Sequence, residues 1–129
     1  MAEQAFVFLT TGADALHTSG GGALVQITGG SSRRAYPRRG LWAAGAFATR
    51  ALVQAAAQEL RGQGIHVALL AVDATIESPK TAEFTRDVAR DALADMTEVA
   101  RAVSYLVEQG PRGLTHELQV TPAGERWLP

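Results

Sequence analysis

Cysteine is absent from the 129 residues, which excludes a disulfide scaffold, a thiolate zinc site and a cysteine nucleophile. Lysine is nearly absent: Lys80 stands alone against eleven arginines, which leaves one candidate for lysine-based chemistry. No apolar run approaches the roughly 20 residues of a membrane span. An excess of either charge is lacking too. The net charge of −1 carries neither the basic footprint of a nucleic-acid binder nor a polyacidic tail. Met1-Ala2-Glu3-Gln4 puts no basic segment ahead of an apolar run, so no signal peptide is expected. What is present is an ordinary globular balance, 47% hydrophobic and 19% charged residues, which rules out wholesale disorder. The expectation is one cytoplasmic domain over residues 1–129, with no membrane, DNA or RNA partner.

Glycine and proline punctuate the chain. Ala2 to His17 is apolar through Phe6-Val7-Phe8-Leu9, and periodicity does not separate strand from helix there. Ala23 to Thr28 is a β-branched run between glycines and reads as a strand. The loop Gly29 to Gly40 holds Ser31, Ser32, Tyr36, Pro37 and four arginines. Leu41 to Leu60 is alanine-rich and reads as a helix that Gly62 and Gly64 end. Ile65 to Val72 is apolar nearly throughout, as a strand covered on both faces would be. Thr81 to Leu93 is weakly helical. Asp95-Met96-Thr97-Glu98 matches a capping box, and the helix it opens stops before Gly110-Pro111. Leu114 to Thr121 reads as a last strand. Strands separated by helices predict an α/β fold with a parallel sheet.

The ordered set Gly22 to Thr28, a proline-bearing loop, an alanine-rich helix ending Gln58-Glu59-Leu60, then Gly64-Ile65-His66-Val67, resembles the second half of a short-chain dehydrogenase/reductase. The resemblance continues through Ile76, Ser78 and Pro79, then Thr97 to Val103, and ends with Leu114 to Leu118. It implies a partial Rossmann-like fold of about three parallel strands, in which Ala2 to His17 is the family's fourth helix. It also implies that Ile76 and Ser78 lie in the loop that meets the nicotinamide end of the cofactor.

Two departures bear on function. The family binds its dinucleotide through Thr-Gly-x-x-x-Gly-x-Gly after a first strand, where small residues admit the pyrophosphate to a helix N-terminus. The one look-alike, Phe6 to Ala13 with Thr11-Gly12, carries Leu16 and Thr18 where the later glycines belong. The second departure is catalytic. Counting back thirteen residues from Glu59 puts Ala46 at the family's lysine position. Trp42 then falls at the tyrosine and Gly29 at the serine, and the asparagine falls near Glu3. Indole donates a hydrogen bond but has no proton that titrates near neutral pH, and general acid–base catalysis needs one. The family's Pro-Gly after the next strand is replaced by Asp73-Ala74.

Other residues offer weaker candidates. Tyr36 lies in the right loop, but Gly40 follows four residues on and no lysine activates it; the plain reading is a surface-packed tyrosine. His17, His66 and His116 are scattered one per element, and structural roles suit them better than catalysis. Arg33, Arg34, Arg38 and Arg39 form the one sharp cluster, suited to an anion or, more plainly, to pairing with carboxylates. Three readings follow. One is a non-catalytic dimerising or regulatory module, inactive alone and binding no cofactor by itself. Another is an oxidoreductase subunit that binds NAD(P) when another chain supplies the nucleotide-binding half. The last is an anion-binding module. A homodimer or a partner chain is expected, because the resemblance implies that the fourth and fifth helices pair with a second subunit and because an uncharged first strand leaves an edge that recruits another chain.

Overall fold

The computed structural model describes residues 1–125. Helix α1 (Ala2–Ser19) is followed by β1 (Gly22–Gly29), α2 (Gly40–Leu60), β2 (Ile65–Val72), a short α3 (Ala82–Thr85), α4 (Met96–Val107) and β3 (Glu117–Val120). The sheet order is β1-β2-β3 and both pairings are parallel, with Gly22 opposite Ile65 and Leu69 opposite Glu117. This is the partial Rossmann-like α/β architecture that the sequence motifs imply.

Strand side chains alternate between two faces. On β2, Ile65, Val67 and Leu69 meet Leu24 of β1, Leu9 of α1, and Val53 and Ala57 of α2. Ala68, Leu70 and Val72 point the other way, to Val99 and Leu106 of α4. All eight β2 residues are buried, which is why that stretch of sequence shows no polar alternation. Gly12 lets α1 approach β1: a Cβ there would lie 2.6 Å from Leu24 Cδ2. Gly21, at φ +114, closes the turn into β1 where a Cβ would lie 2.7 Å from the Gly64 carbonyl oxygen. No helix among the described residues is long and apolar enough to cross a membrane.

The Thr11-Gly12 look-alike lies inside α1, as the resemblance implies. Two local expectations need correction. Thr81 to Leu93 is mostly not helix. The Thr81 hydroxyl donates to Ile76 O at 2.7 Å and accepts from Ser78 N–H at 2.9 Å, a local alternative to helical bonding. Farther on, Ala94 pairs with Ile76 in an isolated parallel bridge. The last strand is four residues rather than eight. Thr115 N–H donates to the Gln109 side chain at 2.8 Å, and Thr115 O accepts from His66 Nε2 at 2.8 Å. Side chains therefore take the backbone groups that a longer ladder would use. Of the expected capping box, Asp95 performs its half, accepting from Thr97 N–H and Glu98 N–H at 2.8 and 3.1 Å. Glu98 turns instead to Arg101.

Leu106 is fully buried between α4 and the sheet. Leu106→Ala is expected to cost about 2–5 kcal/mol, read as a fall in the urea midpoint. Phe84→Ala, at a side chain 80% exposed, should change stability by no more than about 0.5 kcal/mol.

Candidate functional site

In open α/β sheets, ligands bind beyond the carboxyl ends of the strands. Here those ends are filled by the protein's own side chains. Gly29 and Gly30 follow β1 into a 3₁₀ turn that ends at Ser32. Ser32 is wholly buried, and its hydroxyl donates to the Gly29 carbonyl at 2.9 Å. Asp73 follows β2. It is buried, its N–H donates to Val120 O at 2.9 Å, and its carboxylate lies 3.2 Å from Arg34 Nη2. The same guanidinium reaches Glu125 at 3.8 Å and lies 4.7 Å from the centre of the Tyr36 ring. Gly30 permits this: a Cβ there would overlap the Asp73 carboxylate. Asp73, where the resemblance implies a proline, thus anchors the loop after β1 to the end of β2.

A second cluster lies on the α2 face of the sheet. Glu117, at the start of β3, accepts from Arg50 Nε and Nη2, both at 2.9 Å, and from Gln54 Nε2 at 2.7 Å. Arg33 Nη1 adds a contact at 3.3 Å. The Arg50 hydrogen bonds hold the Glu117 carboxyl below its usual pKa, against the opposing effect of partial burial; Gln54 and the charges of Arg50 and Arg33 add to the lowering.

An open cleft of about 490 Å³ runs between the N-terminal half of α1, β1 and the start of α2. Gly29 and Trp42, which the resemblance implies stand at the serine and tyrosine positions, both line it, with Gln4, Gln26, Thr28 and Thr49 as its polar groups. Trp42 is 60% exposed, and Ala46, at the lysine position, is buried. Among the described residues, no tyrosine, lysine, histidine or carboxylate side chain lines this cleft.

The remaining sequence candidates separate. Arg33 and Arg34 face carboxylates, whereas Arg38 and Arg39 are exposed with no ion pair among the described residues. Ile76 and Ser78 lie in the loop after β2, and Ser78 is tied to Thr81, with its Oγ 3.2 Å from the Thr81 hydroxyl. His66 and His116 meet edge to face at 5.5 Å. His66 Nε2 donates to Thr115 O, and His116 Nδ1 donates to Val67 O at 3.0 Å, so the pair fastens the entry to β3 against β2. His17 lies in the last turn of α1, far in sequence from both. Sequence reasoning missed the Glu117 cluster, which joins residues 67 and 84 positions apart; no local spacing signals such a contact.

No protein-family model matches the sequence, and no curated protein shows significant similarity to it. Solved structures do match. A short-chain dehydrogenase from Rhodopseudomonas palustris is 26% identical at a TM-score of 0.70, covering 92% of this chain and 46% of its own. An acetoin dehydrogenase from Enterobacter cloacae is 20% identical at 0.77, covering 98% and 55%. A 4-hydroxyisoleucine dehydrogenase, solved with NADH, is 19% identical at 0.70, covering 90% and 52%. The chain therefore spans about half the length of the structures it matches. Its fold is that of half a short-chain dehydrogenase/reductase, and the resemblance read from the sequence motifs holds in three dimensions.

A carboxylate whose pKa is lowered by folding adds stability that is complete above its unfolded value and is lost as pH falls through the folded one. Glu117 should therefore contribute fully above about pH 4.3 and progressively less below it. Glu117→Gln is expected to cost about 1 kcal/mol at neutral pH. It should also flatten the acid limb of stability against pH, measured by thermal melts from neutral to acidic buffer.

Proposed function

We propose that residues 1–129 form one domain, a non-catalytic relative of the short-chain dehydrogenases that acts by pairing with another chain. The observation that carries this reading is the cleft at the family's catalytic position, where Gly29 and Trp42 stand and Ala46 is buried. Proton transfer needs a group of tuned pKa within reach of the substrate, and the indole of Trp42 has none. The Asp73–Arg34 ion pair adds support, because it fills the end of the sheet where the family's cofactor would lie.

The pairing surface implied by the resemblance is formed by α1 and α2. Phe6, Val7 and Phe8 of α1 and Leu41, Trp42 and Phe47 of α2 are all exposed, an apolar excess that marks contact surfaces. The half-length match to full dehydrogenases favours a second reading, in which another polypeptide supplies the nucleotide-binding half and NAD(P) meets this chain at Ile76 and Ser78. Under it, the cofactor's nicotinamide end must share the sheet's end with Asp73 and Arg34. An anion drawn to the arginine loop would meet Arg38 and Arg39, since Arg33 and Arg34 hold carboxylates.

Calorimetric titration of the purified chain with NADH and NADPH tests the non-catalytic reading. The expected result is no heat of binding up to millimolar cofactor. Micromolar binding would overturn it, since a cofactor site would then survive in this chain or be rebuilt across its dimer.

A further inference from the structure

The two edges of the sheet are built differently. β3 is short, begins at the charged Glu117 and is followed by Pro122, features that discourage strand addition. β1 has eight residues and contains no charge and no proline, and among the described residues it pairs only with β2. Gly22 N–H donates to Gly64 O on the β2 side at 3.2 Å. Because backbone groups alternate along a strand, Ala23, Val25 and Ile27 turn their N–H and C=O groups to the open edge. One of these groups is already capped: Ile27 O accepts from Gln26 Nε2 at 3.0 Å. A carbonyl has two lone pairs, so that cap leaves room for a strand partner. The side chains of the same three residues lie on the α4 face, where Ile27 is 47% exposed.

The geometry points to a second copy of this chain as the occupant of the β1 edge, joined antiparallel to form a continuous six-stranded sheet. Two-fold symmetry favours this direction. Val25 exchanges both of its backbone hydrogen bonds with its counterpart, and Ala23 and Ile27 exchange theirs with the counterpart's Ile27 and Ala23. The row of side chains is self-complementary in size, valine against valine and isoleucine against alanine. No charge opposes a like charge across the pair. The edge adjoins the α1–α2 face, since Val25 and Ile27 share a cleft with Phe8 and Trp42, but the strand pairing does not depend on the helix pairing described there.

The absence of cysteine makes single-thiol labelling direct. Nitroxide labels would be placed one at a time in Ala23→Cys, Val25→Cys and Ile27→Cys. In the antiparallel pair the Val25 positions lie about 5.5 Å apart between Cα atoms, and the Ala23 and Ile27 positions each lie roughly 15 Å from their counterparts. The expected result is strong dipolar broadening at Val25 and weaker, closely similar broadening at the other two, lost on dilution with unlabelled protein. Ile27→Lys, which changes an exposed side chain, should abolish the broadening at Val25 while leaving the circular dichroism spectrum unchanged. A chain that self-associates without broadening at Val25 would overturn the proposal and leave the α1–α2 pairing standing. A monomer at all concentrations would overturn the proposal and leave only a different chain as partner for the α1–α2 face. Undiminished broadening in the presence of Ile27→Lys would also overturn it.

Discussion

Both faces of β2 must be covered at once, and the rest of the structure follows from that demand. A strand of eight buried residues needs apolar layers above and below it. The chain supplies α1 and α2 on one side and α4 on the other. Parallel neighbours in turn require long crossovers, which α2 and α4 provide. α1 is not a crossover at all. It lies across β1 and α2 through Leu9 and Gly12 and completes one layer, which leaves its remaining apolar side chains facing outward.

The ends of the sheet show how a ligand-binding architecture can be put to structural use. The crevice beyond the strand ends is where this fold class concentrates its chemistry. In this chain an aspartate, two glycines and an arginine close it from within. The arginine loop read from the sequence as a possible anion site turns half of its charge inward, to Asp73 and Glu117. Burial favours such pairing, since a guanidinium removed from water needs hydrogen-bonded carboxylates to offset its desolvation. Fold and chemistry thus separate here, as they do in many scaffolds.

Much of the fold was legible in the sequence. Ile65 to Val72 was marked by nearly unbroken apolar character between Gly64 and Asp73, and α2 by its run of alanines closed at Gly62. The helix assignment of Ala2 to His17 came from family resemblance, because its local pattern fits either element. What failed to show were features decided by distant partners. Thr81 to Leu93 has helix formers, but the pull of Ala94 onto Ile76 and the bonding of the Thr81 hydroxyl override them. β3 is shortened by Gln109 and His66, which lie 6 and 49 residues away from Thr115. At the site, the missing catalytic groups were readable by counting positions. The carboxylate partners of Arg33 and Arg34 were not, because nothing local ties them together.

The contact between Gly30 and Asp73 reaches into the history open to this sequence. With aspartate at 73, any residue but glycine at 30 collides with its carboxylate. Substituting 73 first removes that conflict but takes from the Arg34 guanidinium, which is 15% exposed, its carboxylate at 3.2 Å and leaves Glu125 at 3.8 Å. The tolerance of position 30 is therefore set by the residue at 73, and position 30 becomes free to vary only after Asp73 is replaced.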